Sequence, residues 1–273
     1  MDDMVRNDID FSCVPFSVIK ESEHYKKMGL VVLQTDLTVE TEMRFFLSNS
    51  ISDESIDYDK NSVSLLHTRI PCKDEVNVKN LSVMESKFSE ALGLFPEGYE
   101  FDVVAYACTS ASLIIGEDKI NSIFHSKLNT KNVTTPLTAV KRGLRSLNVE
   151  RIGFLAPYIS DISLSMCHDL CGSGLRVVSA ATFQEGKDSI VGNISPESIL
   201  LAIESLIKKA PQVQAVFIAC TSLKCVSVIK TAEEKYGIPI LSSNSALAWD
   251  MMRLSKLDGT AFNKGMLFTK AGD

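Results

Sequence analysis

The chain has 273 residues, 45% hydrophobic and 23% charged, with 28 basic against 34 acidic side chains. That size and balance fit a globular protein of one large domain or two modest ones, and 14 glycines with 8 prolines exclude a collagen-like or low-complexity chain. The net charge of -6 argues against a nucleic-acid partner, whose binders concentrate Lys and Arg, and seven cysteines are too few for a disulfide scaffold and odd in number, so reduced thiols in a cytoplasmic protein are expected.

In chain order, residues 1–24 read as an acidic extension, and residues 1–60 together hold 13 acids and 6 bases. Short β-branched apolar runs then alternate with stretches of helical period, the pattern of a parallel α/β sheet. Strands are predicted over residues 29–34, 62–69, 101–107, 151–156, 175–182, 213–219 and 238–241. Helices are predicted over 38–49, 78–94, 136–147, 160–171, 196–209, 222–235 and 246–256, with a polar loop over 48–61. Ser195-Pro196-Glu197 is a strong helix start, with Ser as N-cap and Pro in the first turn. No apolar run approaches the roughly 18 residues that span a bilayer, so no membrane partner is expected. The opening Met1-Asp2-Asp3-Met4 lacks the basic start of a secretory leader.

A repeat runs through this layout. Ala107-Cys108-Thr109-Ser110 follows one predicted strand and Ala219-Cys220-Thr221-Ser222 follows another, 112 residues later. The recurrence points to two similar α/β halves, each presenting a cysteine at the carboxyl end of a strand, where open α/β sheets bind ligands. The organisation expected is an extension over 1–24, a first lobe of 25–117 plus 244–273 carrying Cys108, and a second of 118–243 carrying Cys220. A cysteine in the first turn of a helix is expected to favour the thiolate. The Thr and Ser after it offer hydroxyl donors, and the helix N-terminus itself can hold a carboxylate. A single such cysteine is most simply a core residue; the duplicated tetrad favours chemistry at both. Cys167, His168 and Cys171 lack two further ligands at metal-binding spacing and read as helix packing. Cys13, Cys72 and Cys225 show no partner signal, and Trp249 belongs to the apolar face of the last helix.

From about Met28 to Met266 the sequence resembles the aspartate/glutamate racemase superfamily, in its maleate isomerase and arylmalonate decarboxylase branch. The resemblance rests on Gly29-Leu30-Val31-Val32 with Thr38-Val39-Glu40, both Cys-Thr-Ser elements, Ala156-Pro157-Tyr158, and the run Ser242-Ser243-Asn244 through Trp249. It implies two pseudo-symmetric lobes, each a parallel sheet flanked by helices, with the active site in the cleft between them. It further implies no metal and no organic cofactor, a homo-oligomer, and a small carboxylate or amino-acid-like substrate held between the thiols. By the same resemblance Cys108 is the nucleophile and Cys220 the proton-transferring partner, with Tyr158, Thr109, Ser110, Thr221, Ser222 and Asn244 around the substrate. Tyr158 also reads as packing and Asn244 as a helix N-cap.

The departures are informative. The isomerases carry an Asn in the first loop, where this chain has Asp36, and an Asp-Asn pair in the second lobe, where the nearest match is Lys187-Asp188. An ionised Asp beside a substrate carboxylate costs several kcal/mol at low effective dielectric. Asp36 therefore meets a proton donor on the substrate, activates Cys108 as a base, or merely caps the next helix; the first two move the substrate away from plain maleate. The function expected is a cofactor-independent isomerase or racemase of a small carboxylate. The alternatives are an arylmalonate-type decarboxylase with Cys220 as proton donor, and a non-catalytic two-lobed acid-binding protein.

Overall fold

The computed structural model describes residues 12–18, 26–48, 63–258 and 264–269. Residues 49–61 of the loop expected over 48–61, and most of the acidic extension, lie outside the described residues. The first half runs β1 (Lys26–Leu33), α1 (Val39–Leu47), β2 (Val63–Ile70), α2 (Val78–Val83), α3 (Phe88–Leu92), β3 (Val103–Ala107), α4 (Thr109–Ile115), α5 (Glu117–Lys127), β4 (Val133–Thr134) and α6 (Pro136–Ser146). The second runs β5 (Arg151–Ala156), α7 (Ser160–Gly172), β6 (Arg176–Thr182), α8 (Asp188–Val191), α9 (Pro196–Lys209), β7 (Ala215–Ile218), α10 (Val226–Tyr236), β8 (Ile240–Ser242) and α11 (Ser243–Leu254).

The strands form two four-stranded parallel sheets of orders β2-β1-β3-β4 and β6-β5-β7-β8. Counting from the start of each half, the order is the same, so the repeat seen in the tetrads is a repeat of topology. Helices cover both sheet faces, which is why β1, β3, β5 and β7 read as continuous apolar runs with hardly an exposed residue. Gly29 is required where β1 meets β3: a Cβ there would stand 3.0 Å from Val104 Cγ2 and 3.1 Å from Phe101 Cε1. Ser195 caps α9 by accepting from Ser198 N at 3.2 Å, with Pro196 in the first turn as its sequence predicts.

Helix α11 is buried along its first ten residues and packs against α6, α1 and β3. It contains Asp250, whose buried carboxylate is held by Arg142 at 2.7 Å, Arg253 at 2.9 Å and the Thr134 hydroxyl at 2.6 Å. A buried charge without such partners would cost several kcal/mol.

The structure revises several local expectations. The helix predicted over 78–94 is interrupted by a tighter 3-10 turn at Met84–Lys87. Helices α4 and α5 and the short strand β4 were not predicted. Because β4 pairs with β3, the first sheet continues past residue 117, where the sequence places the start of the second lobe. The last helix begins at Ser243, three residues before the expected start. The helix expected from Ser222 begins only at Val226. Among the described residues no helix is long and apolar enough to cross a membrane.

Candidate active site

In each sheet the order reverses beside the first strand, which opens a crevice at the carboxyl ends of β1 and β3 and of β5 and β7. Four sequence-predicted residues leave those strands: Asp36 after β1, Cys108 after β3, Tyr158 after β5 and Cys220 after β7. One cavity is lined by Cys108, Thr109, Ser110, Tyr158, Asp188, Cys220, Thr221 and Ser222 together. Its enclosed space is about 10 Å³, roughly the room that one water needs.

Cys108 is the N-cap of α4, with extended backbone (φ -148°, ψ 114°), and its sulfur accepts from Ala111 N at 3.4 Å. Ser110 Oγ lies 3.7 Å from the same sulfur. These contacts favour the thiolate, as the sequence suggests, but burial outweighs them. With 4% of its surface exposed, the Cys108 thiol is pushed up to about 12. The cost of stripping water from a sulfur anion exceeds what one seven-residue helix returns.

Cys220 departs further from expectation. Its φ is 99°, a value that costs a side-chain-bearing residue strain, and a turn follows it instead of a helix. The expected carboxylate cradle on a helix N-terminus after Cys220 is therefore absent. Its N–H donates to Ser243 Oγ at 3.0 Å, and that hydroxyl shares a hydrogen with Thr109 Oγ1 at 2.8 Å, linking the two tetrads. Burial raises the Cys220 thiol, as do the charges of Asp188 and Asp36, while the Ser222 N–H and the Tyr158 hydroxyl partly offset the rise. Tyr158 is itself buried, with its hydroxyl held protonated by burial and by the neighbouring sulfurs. Burial therefore keeps both thiols neutral.

Two buried acids stand at the site: Asp188 lines the cavity, and Asp36 lies behind its wall, not among the lining residues. Asp36, 1% exposed, caps α1 through Oδ1, which accepts from Thr38 N at 2.8 Å and Val39 N at 2.9 Å. Its Oδ2 is buried with no hydrogen-bond partner among the described residues, so capping accounts for half of the carboxylate. Thr38 sends its own hydroxyl to Ser222 O at 2.9 Å. Asp188, 6% exposed, accepts from Thr35 Oγ1 at 2.8 Å. Burial pushes its carboxyl up to about 6, and the charges of Asp36 and Asp74 add to the rise. The segment after β2 crosses to the second half here. Val76 N donates to Gly186 O at 2.8 Å, Asp188 N to Asp74 O at 3.0 Å, and Ser189 N and Oγ to the Asp74 carboxylate at 2.8 and 2.7 Å. This strap brings Lys73 and Glu75 into the cavity wall.

The sequence model of the arylmalonate decarboxylase family matches residues 81–268. The chain belongs to this family. Among its relatives, the maleate isomerase of Nocardia farcinica is 26% identical over 237 residues, covering 84% of this chain and 89% of that protein. The arylmalonate decarboxylase of Bordetella bronchiseptica is 25% identical over 122 residues, 45% of this chain and 51% of that protein. In structure the chain is similar to a Nocardia farcinica maleate cis-trans isomerase mutant carrying a covalently bound succinylcysteine intermediate. The TM-score is 0.79 at 24% identity, covering 89% of this chain and 98% of that one. The maleate isomerase Iso of Pseudomonas putida S16 superposes with a TM-score of 0.78 at 20% identity, covering 90% and 99%.

Within this member of the family, Asn244 does not line the cavity. Ser242 is the N-cap of α11, with Ser245 completing a capping box, so the N-cap reading of Asn244 also fails. Its amide instead donates to Thr221 O and to Glu42 Oε2, both at 2.9 Å. Glu42 in turn accepts from Cys225 N at 2.6 Å and Val226 N at 3.1 Å, capping α10 from helix α1. Burial holds the Glu42 carboxyl above its ordinary range. Glu42 and Asn244 thus fasten the Cys220 turn from behind. The sequence carried a signal for Glu42 that was not used: an acid among Val39, Met43, Phe46 and Leu47, on the buried face of an amphipathic helix. Thr35, Ser243 and the strap residue Asp74 had no comparable mark.

Proposed function

We propose that the cleft is the active site of a cofactor-independent cis–trans isomerase acting on a small, maleate-like carboxylate. One observation carries the reading: two cysteines from duplicated tetrads, on opposite halves of the chain, line one cavity. The Cys108 sulfur adds to one carbon of the double bond, and the π pair moves to the neighbouring carbon beside the carboxylate. That carbon takes a proton from Cys220, while the proton that Cys108 gives up replaces it on Cys220. The sum is addition of one S–H across the double bond, so neither resting thiol has to be ionised beforehand. The former double bond is now single and rotates. In the reverse, the carbon gives its proton to Cys220 while Cys220 hands the one it holds back to the departing Cys108 sulfur, which gives the trans product and restores both thiols.

The succinylcysteine described for the Nocardia farcinica enzyme is the adduct that this sequence of steps would leave on Cys108. Tyr158, hydrogen-bonded to Cys220, steadies that sulfur while it exchanges its proton. The Ser110 hydroxyl, beside Cys108, is placed to donate to the substrate.

Each single substitution, Cys108→Ala and Cys220→Ala, is expected to reduce turnover to background while leaving the circular dichroism spectrum unchanged. Cys220→Ser incubated with substrate is expected to gain the substrate's mass on Cys108. Full activity in either alanine variant overturns the two-thiol scheme. The decarboxylase for which the family is named supports a second reading, in which Cys220 protonates a carbanion after loss of carbon dioxide. Release of carbon dioxide from an aryl malonate, unaffected by Cys108→Ala, would favour it.

A further inference from the structure

The acids in the cleft bear on what the substrate carries at its far end. Asp188 lines the same cavity as both thiols, is buried but for 6% of its surface, and keeps its carboxylate beside Thr35. Asp36 is close enough that its charge raises the Asp188 carboxyl, and its buried Oδ2 has no hydrogen-bond partner among the described residues. Among the described residues lining the cavity, Lys73 is the one cation, against Glu75 and Asp188. Ionised carboxylates only accept hydrogen bonds. Asp188 therefore asks its neighbour in the cavity for a donor and meets a second carboxylate with like charge.

Resting on the isomerase reading above, we propose that the substrate is a half-amide: a cis-unsaturated four-carbon acid with a carboxylate at one end and a primary amide at the other, the amide N–H groups facing Asp188, with the charge of Asp36 behind it. An amide, unlike an ammonium group, remains conjugated with the double bond, so the carbon attacked by Cys108 stays electron-poor. It adds donors without adding charge. A carboxylate in the same place meets like charge: at about 4 Å and an effective dielectric of about 20, one such pair weakens binding roughly a thousandfold.

The test compares kcat/KM for maleate and maleamate with the full-length protein at pH 7.5, following the vinyl protons by NMR. Wild type is expected to prefer maleamate by a hundredfold or more. Asp188→Asn presents an amide that can donate to a carboxylate, and is expected to cut that preference at least a hundredfold, chiefly by gaining activity on maleate. Asp36→Asn, which keeps an oxygen to cap α1, is expected to move the ratio the same way and serves if Asp188→Asn does not fold. A wild type that prefers maleate, or a ratio unmoved by both variants, overturns the half-amide assignment and leaves the isomerase reading standing. If neither compound is turned over and neither leaves an adduct on Cys108, both readings fall together.

Discussion

Replacing Asp188 by Asn separates the cost of the site from its use. The Asp188 carboxyl is raised from its ordinary 3.8 to about 6 in the folded protein. The folded state therefore binds this proton more tightly than the unfolded chain. The stability that goes with it is fully present below about pH 4 and is lost as pH rises through about 6. A shift of about two units corresponds to about 3 kcal/mol of penalty at neutral pH. The asparagine has the same shape, carries no charge and still offers an oxygen to Thr35. Urea unfolding of the two proteins between pH 4 and 8, followed by circular dichroism and by the fluorescence of the single, buried Trp249, measures the difference directly. The variant is expected to be more stable by about 2–3 kcal/mol at pH 7.5, with the gap closing towards zero at pH 4. A gap that does not change with pH, or a variant less stable at pH 7.5, would refute the argument that burial of this charge is what shifts it. A stabilising substitution at a lined cavity is the mark of a residue kept for function.

Two further outcomes follow from the turn that holds Cys220. With φ at 99°, glycine relieves strain that alanine retains, so Cys220→Gly should unfold at a temperature equal to or above that of Cys220→Ala, a gain of about 1 kcal/mol after loss of the methyl group. A lower melting temperature for the glycine variant would show that the backbone there is unstrained. Glu42→Ala leaves the Cys225 and Val226 N–H groups and the Asn244 amide without their acceptor. At about 1–3 kcal/mol for each buried orphan, it should lower stability by about 3–5 kcal/mol and lower kcat more than it raises KM. Wild-type kcat in a folded Glu42→Ala protein would remove it from the support of the site.

The parts that the sequence revealed are those written locally. Strand-to-helix punctuation, the Ser195-Pro196 cap and the repeated tetrads needed no knowledge of distant residues. They lead to two parallel sheets and to the cavity lining. The misses are of a different kind. Helix α4 is seven residues long and ends where Gly116 turns to φ 92° before α5 begins, so its helical period is too short to read. The two tetrads share four residues yet differ in backbone, because the chain after Cys220 is governed by Glu42, 183 positions away, and by Ser243. The thiol expectation failed for the same reason. A helix N-terminus is visible in sequence, whereas the depth at which it is buried is not. Asn244 reads as a substrate contact or a cap from its neighbours alone, and its bond to Glu42 spans 202 positions.

The closed cleft has a consequence for the hydrogen atoms themselves. With Cys108 and Cys220 buried and the strap of Asp74 lying on Ser189, a substrate held as proposed would be screened from the surrounding liquid. In the proposed scheme a proton that Cys220 gave to carbon would meet little water during the rotation, and the same nucleus would be at hand to be taken back. The enzyme would then pass its substrate from one geometry to the other with the isotopic identity of every carbon-bound hydrogen preserved, a memory that an open, wetted pocket could not keep.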